Sequence, residues 1–247
     1  MSMGLLWFLA LGCTENLILR IRDGKEDSSD LEEDPYADVG SPTSEPTSDP
    51  SSEPSSEPSS ETGSGGSQST ARPPYFGDII INELMIDPEN VSDSEGEWIE
   101  LLNLTGDWLD LGGYYLLDYG ADQCEIAEVS AGSMVVGPEG YLLICASDEY
   151  WDNGGIHCNG SFHYSTFGGG FAMSNSADEV LLASPYGQLV DSVSYSSGFA
   201  PIGASMGVDP ANATESGNDD AGNWCDQWAF LPQGDNGNPG EENDWCW

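Results

Sequence analysis

Four carboxylates on one short loop are the first residues of this chain with the right types and spacing for chemistry. Asp87, Asp93, Glu95 and Glu97 fall within Asp87-Pro88-Glu89-Asn90-Val91-Ser92-Asp93-Ser94-Glu95-Gly96-Glu97. Calcium takes roughly six to eight oxygen ligands, and these side chains could converge on one ion if the loop folds back. The spacing is not that of an EF-hand. What favours a cation is the lack of any Lys or Arg nearby to offset the charge; the alternative is a solvated acidic loop. Asp209, Asp219, Asp220 and Asp226 form a weaker version of the same pattern.

Five cysteines follow Cys13, which implies an oxidising compartment and two disulfides with one residue left over. Cys145 and Cys158 close the shortest loop between neighbours in the strand-rich region and are the favoured pair. Cys225 with Cys246 would pin the irregular tail, and Cys124 could compete for either. Zinc is poorly supported: no two cysteines have Cys-x-x-Cys spacing, and His157 and His163 form no recognised ligand pair.

Catalysis finds few components. Carboxylates are so abundant that an acid–base pair among them carries almost no information. No Gly-x-Ser-x-Gly elbow accompanies the two histidines, and Gly168-Gly169-Gly170 lacks the Lys and helix of a phosphate-cradling loop. Among aromatic residues, Trp98, Trp108, Tyr114, Tyr115, Tyr141 and Phe171 could build a platform for a carbohydrate or peptide. Trp98, in a strand between acids, reads as core instead. Trp224, Trp228, Trp245 and Trp247, in a Gly-rich tail, are better placed for exposed contact.

The elements that must position these residues are short strands. Gly77–Met85 and Gly96–Asn103 read as an opening pair around a polar loop from Asp87 to Gly96. Gly113–Asp118 reads as a third strand. Ser133–Val136 and Tyr141–Cys145, around Gly137-Pro138-Glu139-Gly140, read as a hairpin. Phe162–Phe167 and Phe171–Ser174 flank a triple-Gly bend, and Glu179–Ala183 with Gln188–Tyr195 make a second hairpin around Pro185-Tyr186-Gly187. No helical period of useful length is present. Frequent turns between short strands predict an all-β, Greek-key sandwich over residues 75–247.

Charge limits the partners. The chain has a net charge of −40, and its four basic residues, Arg20, Arg22, Lys25 and Arg72, all precede Tyr75. From Tyr75 onward there are 30 Asp and Glu and no Lys or Arg, so no internal Lys or Arg salt bridge is expected there. Such a surface is a poor partner for nucleic acid or for direct adsorption to an anionic membrane.

Residues 1–13 hold an apolar run, Gly4–Leu11, ending in Gly12-Cys13. At well under roughly 20 residues it is too short to span a bilayer, but it suits a signal-peptide core. A small residue before Cys resembles a bacterial lipoprotein cleavage site, although Leu11 stands where a small residue is usual. Cleavage there would leave Cys13 as a lipid-bearing N-terminus, and Thr14 favours the outer membrane. Residues 14–74 form a disordered acidic linker in which Ser-Glu-Pro-Thr-like repeats cannot bury a core. About 34 residues of polyproline-like chain would reach roughly 100 Å.

Several motifs in order resemble the lamin-tail domain in its bacterial form. They are Asp78–Glu83, Asp87-Pro88, Gly96-Glu97-Trp98-Ile99-Glu100-Leu101, Leu109–Tyr114, Gly140-Tyr141-Leu142, Leu189-Val190-Asp191, Asn223-Trp224-Cys225 and Gly237–Asn243. The resemblance implies an immunoglobulin-like β-sandwich and an attachment or binding unit. The function expected is a surface-tethered, non-enzymatic binding, adhesion or scaffolding module of the bacterial cell envelope, stabilised by calcium if the acidic loop binds it. Its partner would be an extracellular or envelope protein or glycan, with the bilayer reached through the lipid and no nucleic acid bound. The alternatives are a secreted or periplasmic location, and a calcium-dependent extracellular hydrolase or an accessory subunit of a secreted nuclease or phosphatase.

Overall fold

Strand β1, Ile79–Met85, is buried along its whole length, and the rest of the domain is built around it. The computed structural model describes residues 70–247; the expected signal segment, Cys13 and almost all of the expected linker lie outside the described residues. After β1 come helix α1 (Asp93–Gly96), β2 (Trp98–Asn103), β3 (Leu109–Asp110), β4 (Tyr115–Leu117), β5 (Gln123–Glu125) and β6 (Ala127–Glu128). Next are β7 (Val135–Val136), β8 (Tyr141–Cys145), β9 (Gly160–Ser161), β10 (Asp178–Ala183), β11 (Leu189–Tyr195), β12 (Met206–Val208) and β13 (Trp224–Asp226).

These strands make an immunoglobulin-like β-sandwich. One sheet runs β13-β12-β1-β2-β8-β9-β6, a second runs β11-β10-β4-β5, and β3 pairs with β7. Between them lie Ile79, Ile81, Leu84, Ile99 and Leu101 from the large sheet and Val180, Leu182, Val190 and Val193 from the small one. Burying each such side chain is worth about 1.5–3 kcal/mol.

The large sheet is buried on its outer face as well. Met85, Trp98, Leu143, Cys145 and Ile156 form a second apolar cluster there, beneath the Cys145–Cys158 loop and the C-terminal tail. This is why β2 shows no polar alternation: Trp98 and Glu100 face one way, Ile99 and Leu101 the other, and every one of them is buried.

Several expectations change. The fold begins before Tyr75: the Arg72 N–H donates to the Trp108 carbonyl and the Asp110 N–H donates to the Arg72 carbonyl. Arg72 also makes the ion pairs expected to be missing, with Asp78 at 2.6 Å and Asp107 at 2.9 Å, while lying 5.4 Å from the centre of the Tyr75 ring. Burial raises the Asp78 carboxyl, but Arg72 and the Tyr75 N–H outweigh it and hold the group below its ordinary range. The expected third strand is confined to Tyr115–Leu117.

The hairpin expected across Gly137–Gly140 is absent. The turn forms, with the Gly140 N–H on the Gly137 carbonyl, but β7 pairs with β3 and β8 with β2 and β9. The two segments depart into different sheets. The β10–β11 hairpin does form, with a bulge near Ala183. Trp224, one of the four tail tryptophans weighed for exposed contact against packing, is buried against Phe199 and donates its indole N–H to the Asn218 carbonyl.

Candidate functional site: a cleft above buried carboxylates

A β-bulge between Ile81 and Glu83 sets up the site. There the register of β1 against β2 slips by one, so that Glu83 lies opposite Glu100. A bulge re-aims side chains, and both Asn82 and Glu83 reach the outer face. The Asn82 amide donates to Glu100 Oε1 at 3.0 Å. Glu83 Oε1 accepts from the Ser205 hydroxyl and, at 2.8 Å, from the Asn238 N–H. Glu100 Oε2 accepts from the Gly240 N–H.

Thus two acids on neighbouring strands hold the backbone of Asn238-Pro239-Gly240 against the sheet. Gly237 permits the close approach, since a Cβ there would meet Ser205 Oγ at 2.9 Å and Trp98 at 3.0 Å. Burial raises the proton affinity of both carboxyls above the ordinary range, and at Glu100 the adjacent Glu83 adds to it.

The other edge of β1 is satisfied by side chains. Strand β12 pairs only with Glu83 and Leu84, leaving the Ile81 and Asn82 backbone groups on that side without a strand partner. The Ile81 N–H donates to Asp191 at 2.6 Å, and its carbonyl accepts from the Asn218 amide. The Asn82 carbonyl accepts from Asn243. Burial pushes the Asp191 carboxyl up to about 8, against the hydrogen bonds from Ile81 and Asn218.

The four acids of the expected calcium loop have different partners. The Asp87 carbonyl is tied to the Gly203 N–H, Asp93 accepts from Asn175, and Glu95 accepts from Ser92 within its own turn. Glu97 points inward, fully buried, and takes the Met173 N–H at 2.9 Å. Burial, with the charges of Asp93, Asp178 and Asp87, pushes Glu97 up to about 9. Among the described residues no group of three or more His, Cys, Asp or Glu could hold a metal ion. In the second acidic cluster Asp209 is structural, accepting from the Ala211 and Cys246 N–H groups.

The structure pairs Cys145 with Cys158 and Cys225 with Cys246. Cys124 is buried, with its sulfur accepting from the His163 N–H. Each pair closes a loop, and the two loops face one another across a cleft of about 570 Å³. Gly155, Ile156 and His157 of the first loop, with Asn159 just beyond it, form one wall; Ala229–Pro232 and Gly237–Glu241 of the second form the other, with Tyr141 and Glu100 between them.

The walls meet at Gly155, whose φ is +84° and where a Cβ would lie 2.7 Å from Pro232. The second wall is anchored to the acidic loop, because Asp235 accepts from the backbone N–H groups of Glu89 and Asn90 and from the Asn90 amide. Phe230 lines the cleft with 86% of its surface exposed. Trp151 is 83% exposed, and Gln233 of the opposite wall donates to its carbonyl. His157 stacks on Tyr150, with ring centres 4.7 Å apart. Sequence reasoning missed Phe230 and Trp151 as contact residues, and Glu83, Glu100 and Asp191 as buried acids. Only their place in family-like motifs marked the acids.

The β-sandwich, closed by a tail that two sheet carboxylates hold in place, is of the immunoglobulin-like structural class. The family model of the Lamin Tail Domain matches residues 72–197, half of the chain, and the chain belongs to that family. The second cleft wall and Asn238-Pro239-Gly240 lie beyond the matched residues. No curated protein and no solved structure matches the chain.

Proposed function

We propose that this chain is a contact module of the bacterial cell envelope: a lipid anchor on Cys13, an acidic spacer, and one lamin-tail sandwich that offers its cleft to an extracellular or envelope partner. The observation that carries this reading is the cleft between two disulfide-closed loops. Disulfides of this kind belong to an oxidising compartment. They also fix both walls before a partner arrives, which lowers the ordering cost of binding. The volume falls within the range of roughly 300–1,000 Å³ typical of ligand sites.

One observation favours turnover instead. Glu100, with its raised proton affinity, lines the cleft beside Glu241, and such acids often mark catalytic sites. Both Glu100 oxygens are already engaged as acceptors by the Asn82 amide and the Gly240 N–H, the bonds that hold the tail. A structural lock is the better account.

Mass spectrometry of the native N-terminus tests the placement. Diacylglycerol on Cys13 is expected; an unmodified N-terminus upstream of Cys13, or a mature protein with its thiols reduced in the cytosol, would overturn it.

A further inference from the structure

We infer that the cleft between the two disulfide loops binds a lysine- or arginine-bearing peptide segment, taking one cationic side chain against Phe230 and Tyr141 beside Glu241. The inference rests on reading the domain as a contact module and names the chemistry of its partner.

Three features point the same way. The first is charge: residues 75–247 carry 30 acids and no Lys or Arg, and Arg72 is already bound to Asp78 and Asp107. No Lys or Arg of residues 75–247 can occupy the cleft, and the surrounding field concentrates positively charged ligands. The second is the lining. An aromatic face near a carboxylate suits an ammonium or guanidinium group, which is attracted to a ring within about 6 Å. Phe230 is a large apolar ring left exposed in a wall whose neighbours Leu231 and Pro232 are fastened to the domain. The Leu231 N–H donates to the Asp235 carbonyl, and Pro232 meets Gly155. The third is shape: the apolar floor of Leu143 and Ile156 would receive the methylene stem of such a side chain.

A neutral glycan could also stack on aromatic rings, but the excess of carboxylates gives it no particular advantage. The charge favours the peptide.

The test is calorimetric titration of the full chain with hexalysine amide at physiological ionic strength, where long-range attraction is screened beyond about 8 Å. Saturable one-to-one binding is expected, lost when the peptide is ε-N-acetylated. Phe230→Ala leaves the net charge unchanged, so charge-driven adsorption would not respond to it. A cleft site should weaken about two- to fivefold. Glu241→Gln should weaken binding as well, while Tyr186→Ala, in the separate groove lined by Pro73, Pro74 and Pro185, should not. Absence of saturable binding would overturn the inference, as would affinity indifferent to Phe230→Ala, or binding of chitohexaose with hexalysine inert. None of these results depends on the lipid at Cys13, so the anchor and the ligand can each fail alone.

Discussion

Replacing Glu97 with Gln should stabilise the domain at alkaline pH and leave it nearly unchanged in acid. Glu97 is fully buried, and its carboxyl is pushed from an ordinary 4.5 up to about 9, chiefly by burial. Between those two pH values the folded chain keeps a proton that the unfolded chain releases. The unfolded state then binds fewer protons, so stability falls as pH rises through this window. This is the reverse of an acid held by a cationic partner, whose contribution is lost in acid. The slope is about 1.4 kcal/mol per pH unit, so between pH 5 and pH 8 this one group costs about 4 kcal/mol. That is a large share of the roughly 5–15 kcal/mol that stabilises a typical domain.

Glutamine is nearly isosteric, can still accept the Met173 N–H, and has no proton to lose. The assay is equilibrium urea unfolding of wild type and Glu97→Gln, followed by tryptophan fluorescence across pH 5–8. The two stabilities should lie close together at pH 5 and diverge by a few kcal/mol at pH 8, with Glu97→Gln the more stable. Every other acid is common to both proteins, so the difference isolates this position. Parallel pH profiles would refute the reasoning, and so would wild-type stability that rises from pH 5 to pH 8.

The remaining predictions concern the lock, the walls and the loop. Asp191→Ala strands the Ile81 N–H and the Asn218 amide, each bonded to the same oxygen, and should cost about 2–4 kcal/mol in urea unfolding; Asp191→Asn should cost less, because it retains an acceptor. Gly237→Ala should cost about 1–3 kcal/mol, because its methyl must displace Ser205, Trp98 or Glu83. Replacing Cys145 and Cys158 together with Ala, which opens a loop of 13 residues' separation, should lower stability by about 3 kcal/mol and weaken hexalysine binding in the titration above. Calcium chloride should raise the melting temperature no more than sodium chloride of equal ionic strength, because no group of three or more acids among the described residues could hold the ion; a specific gain that chelator reverses would refute this.

Much of the sandwich was legible because its central strands announce themselves locally. Ile79–Met85, Trp98–Asn103 and the Asp178–Tyr195 hairpin are apolar runs bounded by turn residues, and the structure places strands at all three. Pairing was less legible. The Gly137–Gly140 turn has the composition of a hairpin loop and does form, yet its flanking segments pair with β3 and β2. A local signal reports the turn; the partner is chosen by burial that other segments supply.

The buried acids show the same limit more sharply. A chain with so many carboxylates invites the view that all of them face water, and an acidic loop invites the search for a cation. Nothing near Glu83 or Glu100 in sequence says otherwise, because what covers them arrives with Asn238 and Gly240, 155 and 140 residues later. Their burial is tolerable only because backbone N–H groups meet them and because a raised proton affinity lets the acid go in neutral. The tail depends on the acids in turn, since its backbone donors at Asn238 and Gly240 find their acceptors in Glu83 and Glu100. The acids of β1 and β2 and the Asn-Pro-Gly turn are thus one device, in which each part supplies what the other would otherwise lack. The device fastens the wall that carries Phe230, so the geometry of the cleft depends on the carboxyls of the sheet beneath it.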